Sequence, residues 1–346
     1  MRENLVSIDR KLIGEKITKN IYNSKGVLIV TKDTILTEHI YRKLREYRIG
    51  NIYIEIPKHR EKENEKIYKE IKVSYRKAIK DIKEIISQIS INGKLDCEKI
   101  IEMKDAIKLN SKHQGYFIDC INELKQVDEY TFNHSINVAV YSMLIASWMN
   151  LPEEHIENII MAGILHDSGK SRIAKQILNK EGPLNEQEFK EIKNHPRLGY
   201  DICKKIEALD NNVLLGILQH HEKSDGSGYP SKLKNQEIHL YAKILAIADV
   251  YDALTSKRAY KDKLTPFDTF KKMEEIGYSH FDPEVLLIFL KHMSYYYIGF
   301  KVKLNTGELG EIAYISLKDE YKPIIKTDEK IIDISKTSTY KVVELI

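Results

Sequence analysis

The sequence is short of cysteine, of long apolar runs and of net charge, and each shortage removes a class of protein. Its three cysteines, Cys97, Cys120 and Cys203, are odd in number and form no CxxC pair. That excludes a disulfide framework or a thiolate metal knot and leaves free thiols in a reducing cytoplasm. The most apolar run, Val138 to Met149, is 12 residues long and contains Tyr141 and Ser142. A spanning helix needs about 20, so this run reads as a buried core helix and no membrane span is expected. With 55 basic against 51 acidic residues the net charge is +4, too even for a protein that binds bulk nucleic acid. The charged start, MRENLVSIDRKLIGEK, lacks the apolar centre of an export signal.

What is present is ordinary globular material, 42% hydrophobic and 31% charged over 346 residues, enough for roughly two or three domains. Residues 1–56 read as a small α+β accessory module. Within it a hairpin joins Asn20–Tyr22 to Val27–Val30, Thr37 caps a short helix, Gly50 marks a stop, and Ile52, Ile54 and Ile56 alternate as a strand. Residues 57–111 read as a charged helical connector with Ile79, Ile82, Ile85, Ile86 and Ile89 at helical spacing, a stripe that would also serve a homodimer. From Phe117 to about Leu290 the period is helical throughout, with stripes such as Ile136, Val140, Met143 and Leu144. A mainly α bundle follows. Residues 296–346 read as a β-hairpin module turning at Asn305-Thr306-Gly307.

The chemistry lies in the histidines. Of twelve, five fall in four short contexts: His134, His166 beside Asp167, His195, and the pair His220-His221. Asp249 follows on a helix, three residues before Asp252. Five imidazoles and two carboxylates suit borderline and harder divalent metals such as manganese, iron or zinc. One first-row ion takes about four to six ligands including water, so this many protein donors point to two ions bridged by a carboxylate. Ions about 3.5–4 Å apart ionise water at neutral pH and clamp phosphoryl oxygens, which makes phosphoester hydrolysis the leading reaction. Gly169 is placed to stop the helix that ends at His166. Asp252 and Glu222 are expected to orient imidazoles, and Asp225 to stabilise a turn. The remaining histidines read as structural or exposed.

The string His166-Asp167-Ser168-Gly169-Lys170, together with His220-His221-Glu222-Lys223-Ser224-Asp225-Gly226-Ser227-Gly228-Tyr229-Pro230, resembles the HD-GYP signature. The likeness spans roughly residues 112–295. It implies an HD-superfamily helical bundle as the catalytic domain and hydrolysis of cyclic di-GMP to pGpG or GMP by a metal-activated hydroxide, with iron or manganese as the paired ions. It also implies that His134, His166, Asp167 and Asp249 hold one ion, that Asp167 bridges, and that His195, His220 and His221 hold the other. Asp167 and Lys170 are then the catalytic residues. Lys170, Tyr229, Arg258 and Lys261 contact the ligand's phosphates, as a dianionic dinucleotide requires. Gly226 and Gly228 are expected to let the loop approach ligand.

Some family members carry a third-metal glutamate four residues before the first histidine. Tyr130 stands there in this sequence, so two metals are expected, with Asp128 and Glu129 nearby. Two rivals remain open at this point: an HD phosphohydrolase acting on another nucleotide, and a cyclic-dinucleotide sensor without turnover.

Overall fold

The computed structural model describes residues 3–23, 26–47, 49–55, 58–92, 96–109, 111–124, 130–180, 182–206, 209–256, 264–316 and 319–346. The chain opens with β1 (Glu3–Ser7), β2 (Ile21–Tyr22), β3 (Leu28–Val30), α1 (Glu38–Glu46) and β4 (Asn51–Glu55). β2 and β3 form the expected hairpin, and the Thr37 hydroxyl caps α1 by accepting the Ile40 N–H. β1, unforeseen because charges flank it, pairs antiparallel with β4. Ile52 and Ile54 point inward with Ile8, Ile17, Leu36 and Leu44, a small core of their own. Gly50 ends nothing: α1 stops at Glu46, and the Gly50 carbonyl accepts the Ile8 N–H at 2.8 Å.

α2 (Lys58–Asn92) runs 35 residues. Its Ile71, Tyr75, Ala78, Ile82, Ile85 and Ile89 are buried in the same core as the helices that follow, and Ile79 and Ile86 pack against it. Residues 57–111, expected as a connector, therefore contribute a bundle helix. Charged residues such as Glu65, Lys66, Lys69 and Lys80 line its outer face, while from Ile71 to Ile89 every third or fourth residue is apolar and meets the bundle. The isoleucine stripe offered for a homodimer is consumed within the chain.

The bundle continues with α3 (Cys97–Leu109), α4 (Gln114–Leu124), α5 (Tyr130–Trp148), α6 (Glu153–Leu165), α7 (Lys175–Leu178), α8 (Glu186–Ile192) and α9 (His195–Cys203). It closes with α10 (Asn211–Gln219), α11 (Leu240–Thr255), α12 (Pro266–His280) and α13 (Pro283–Tyr295). From Asn133 to Ala146 every residue of α5 is buried, with α2, α6, α11 and α13 packed around it. A helix apolar on all sides belongs at the centre of a bundle. Among the described residues no helix is long and apolar enough to cross a membrane.

The expected hairpin about residues 305–307 is present as β5 (Lys301–Leu304) and β6 (Leu309–Ser316), but it is part of something larger. β7 (Asp319–Lys326), β8 (Ile331–Asp333) and β9 (Val342–Leu345) complete a five-stranded antiparallel sheet in the order β8-β7-β6-β5-β9. Val302, Leu304, Ile312, Ile325 and Val342 face inward and join the helical core. Short strands studded with lysine and glutamate hide their alternation in the sequence. Cys120 and Cys203 are buried free thiols, pushed up to about 12 by burial.

Candidate metal centre

Five helices deliver the donor residues to one point inside the bundle. His134 lies in the second turn of α5; His166 caps the end of α6 with Asp167 next to it; His195 opens α9; His220 and His221 follow α10; Asp249 stands on α11. Their ligand atoms form two groups, His134 with His166 and Asp167, and His195 with His220 and His221, each within 4.8 Å. Asp167 lies between them. Its Oδ2 is 3.4 Å from His166 Nε2 and 3.7 Å from His134 Nε2, and its Oδ1 is 3.3 Å from His195 Nε2. Asp249 spans the same divide, with Oδ1 3.1 Å from His134 Nε2 and Oδ2 3.8 Å from His221 Nδ1.

This convergence requires an unusually close backbone contact. Gly169 sits in the 3-10 turn Ser168–Arg172 that carries Asp167 to α9. A Cβ there would lie 2.0 Å from the His195 carbonyl oxygen and 2.5 Å from Gly199 N. The glycine is needed for that approach, which sets Asp167 against His195, and not as the left-handed helix stop its position suggested.

Three of the imidazoles are held in the same way. Nδ1 of His166, His195 and His220 lies 2.8, 2.8 and 2.7 Å from the carbonyl oxygens of Gly163, Ile192 and Ile217, each three residues earlier at a helix end. A carbonyl only accepts, so Nδ1 carries the proton and the Nε2 lone pair faces the centre. That is the tautomer a metal ligand needs. His134 differs: its Nδ1 is 2.8 Å from Oδ2 of Asp252, a fully buried carboxylate that also accepts from Asn137 Nδ2 at 2.8 Å. Asp252 thus lies against an imidazole, the position its expected orienting role requires.

The electrostatics separate the two groups. Burial and the neighbouring imidazoles hold His220 well below the ordinary histidine range, and burial takes His221 down to about 3. Burial also opposes charge on His134, but Asp249 and Asp252 outweigh it and raise the group to about 9. Burial would raise Asp167 and Asp249; Lys170 and His166 hold the first below the usual carboxylate range, and His134 the second. Nε2 of His166 and Oδ1 of Asp167 are buried without a hydrogen-bond partner. Lone pairs converging in a buried space are costly unless a cation sits among them, so these donors fit divalent metal ions.

Lys170 Nζ is 2.6 Å from Asp167 Oδ2 and about one-third exposed, reaching from the centre toward solvent. Tyr229 lies over the His221 ring at 4.8 Å between centroids. Glu222 is buried, but its oxygens accept the backbone N–H of Ser231 at 2.6 Å and of Leu233 at 3.0 Å. It pins the loop after Pro230, and among the described residues no hydrogen bond to an imidazole accompanies those two. Asp225 accepts the Ser227 N–H in the expected turn. Gly228 presses on the chain's own backbone, where a Cβ would meet Lys223 N at 2.4 Å, and Gly226 takes φ of 81°; both shape the loop itself. Arg258, Lys261, Asp128 and Glu129 lie outside the described residues.

Two residues of the site were not foreseen. Asn137 was readable as a polar residue three positions after His134 in an otherwise apolar helix. Lys193, whose ammonium lies 5.5 Å from the Tyr229 ring centroid, has no sequence signal beyond its charge. Of the histidines outside the centre, His155 has its Nδ1 2.8 Å from the Tyr241 hydroxyl, and His292 stacks on Trp148.

A helical bundle that gathers histidine and aspartate donors around one buried carboxylate fits a class of metal-binding protein, and the comparisons give the family. Residues 99–285 match the HD domain family, rather more than half the chain, and the chain belongs to it. Cyclic di-GMP phosphodiesterase PA4108 of Pseudomonas aeruginosa is 38% identical over 192 residues, covering 55% of this chain and 45% of that protein. A cyclic di-GMP phosphodiesterase of Thermotoga maritima is 34% identical over 197 residues, 54% of this chain and 52% of that one. The 3'3'-cGAMP-specific phosphodiesterase 2 of Vibrio cholerae is 36% identical over 172 residues, 49% and 33% of the two chains. The chain thus spans about half or less of the length of these curated relatives. Bd1817, an HDG"Y"P protein from Bdellovibrio bacteriovorus, shares the fold with a TM-score of 0.50 at 15% identity, over 84% of this chain and 99% of that one. The resemblance carried by the HD and GYP motifs stands.

Proposed function

We propose that the chain is a metal-dependent phosphodiesterase that hydrolyses cyclic di-GMP to pGpG, to GMP or to both. The observation that carries this is Asp167, a single buried carboxylate whose two oxygens face two separate histidine groups. Two divalent ions, iron or manganese for such a donor set, would supply Lewis acidity toward phosphoryl oxygens and a water ionised near neutral pH. His134, His166, Asp167 and Asp249 would hold one and His195, His220 and His221 the other. Lys170, between Asp167 and solvent, pairs with a non-bridging oxygen of the scissile phosphate and offsets the charge that builds there. Tyr229, whose phenol burial keeps protonated, offers a hydroxyl donor at the mouth, and Arg258 and Lys261 take the remaining phosphate charge. The three free cysteines suit a cytoplasmic setting.

The cGAMP-specific relative favours a second reading of the same site, hydrolysis of a hybrid cyclic dinucleotide. One experiment separates them. Manganese- or iron-loaded protein is incubated anaerobically with each dinucleotide beside Asp167→Ala, and products are separated by chromatography. Linear product from cyclic di-GMP in the wild type alone supports the proposal, and product from the hybrid alone replaces it. Two bound metals with no turnover of either would make the chain a sensor.

A further inference from the structure

We propose that Tyr75 and Asn137 are positioning residues for the metal ligand His134, so that the centre is completed by a helix outside the matched HD domain. The proposal rests on the metal reading above and adds a part that reading does not contain.

Four buried groups on three helices form a file, which the buried Ser256 hydroxyl joins by donating to Asp252 Oδ1 at 3.3 Å. The Tyr75 hydroxyl, on α2, donates to Oδ1 of Asn137 on α5. Nδ2 of Asn137 donates to Oδ1 of Asp252 on α11 at 2.8 Å, and Oδ2 of Asp252 accepts from His134 Nδ1 at 2.8 Å. Their exposures are 3%, 1%, 0% and 5%, so water does not substitute for a missing member. The directions follow from Asp252, which only accepts: the Asn137 amide turns its NH2 toward the carboxylate and its oxygen toward Tyr75, whose hydroxyl then donates to it; the amide so anchored holds the carboxylate, which fixes the imidazole tautomer and ring plane. With the amide reversed, an oxygen would face Asp252 Oδ1 and the file would break. Tyr75 thus anchors the amide oxygen of Asn137, although it lies 62 residues from Asn137 and before residue 99, where the family match begins.

The test is a cobalt(II) titration of the metal-free full-length protein, read by visible absorption, which reports the ligand field directly. Tyr75→Phe keeps the ring and removes one hydroxyl. Tyr68→Phe is the control, since it deletes a hydroxyl on the same helix that bonds Glu123 at the surface at 2.6 Å. The expected result is two cobalt ions in all three proteins, with one site of Tyr75→Phe weakened about tenfold and its absorption bands shifted, and Tyr68→Phe like the wild type. If Tyr75→Phe melts before it can be titrated, Asn137→Asp, which keeps the volume and sets a second carboxylate against Asp252, must give the same loss at one site. Wild-type affinity and spectrum in a folded variant would overturn the relay and leave the metal centre standing. A wild type that takes up no cobalt would overturn both.

Discussion

The two halves of the donor set are secured by different means. His166, His195 and His220 each lean on a backbone carbonyl three residues earlier, so any helix end of that shape orients them. His134 leans on Asp252, 118 residues away, and through it on a file of buried side chains from two other helices. The first arrangement is local and cannot be removed by changing a side chain. The second is assembled only when the bundle closes, and each member can be deleted. Electrostatics add to the contrast: Asp249 and Asp252 raise His134 against its burial, while burial lowers His220 and His221.

The largest expected effect comes from removing what the halves share. Asp167→Ala should lower hydrolysis at least about 10³-fold and cut bound metal, measured by turnover and by elemental analysis of the purified protein. Next is a change confined to one half. Asp252→Asn should weaken one metal site about 10–100-fold while leaving the other near its wild-type affinity, as read by competition with a chelator. Equal weakening of both would erase the distinction between them.

A pH dependence sharpens the contrast. Folded His134 is raised to about 9, so below that pH a cation must displace its proton. Affinity on that side should fall by up to about tenfold per pH unit as the solution is acidified. His221, lowered to about 3, and His220, also lowered, present no such proton between about pH 5 and 8. Titration calorimetry in two buffers of different ionisation heat should detect more proton release for the ion held by His134. The smallest effect belongs to the mouth, where both halves meet solvent. Tyr229→Phe should raise KM about 2–5-fold with kcat nearly unchanged, and Lys193→Ala, which removes the ammonium beside the Tyr229 ring, should act in the same direction, since partly exposed contacts of this kind contribute about 0.5–1 kcal/mol.

Much of this was legible in the sequence, for a physical reason. Donor identity is chemistry written residue by residue, and His166-Asp167, His220-His221 and the loop through Pro230 are contiguous. The Thr37 cap, the β2–β3 and β5–β6 turns and the buried run of α5 are likewise settled within a few residues. Glu222 was misread because its neighbours in sequence are imidazoles, whereas its partners in space are the amides of Ser231 and Leu233. The apolar face of α2 was legible too, as isoleucines at helical spacing that pack on a neighbour, while its place within the bundle core and the further strands of the sheet depend on partners distant in sequence.

By itself the sequence determined which groups can bind metal and the local turns that present three of the imidazoles, since those contacts close within three residues. Only the tertiary structure decided that Asp167 faces both histidine groups, that Gly169 must yield to α9, and that Tyr75 reaches the centre through Asn137 and Asp252. Those contacts join segments separated by 62, 115 and 118 residues along the relay, and no local propensity encodes a distance that exists only after the core has packed.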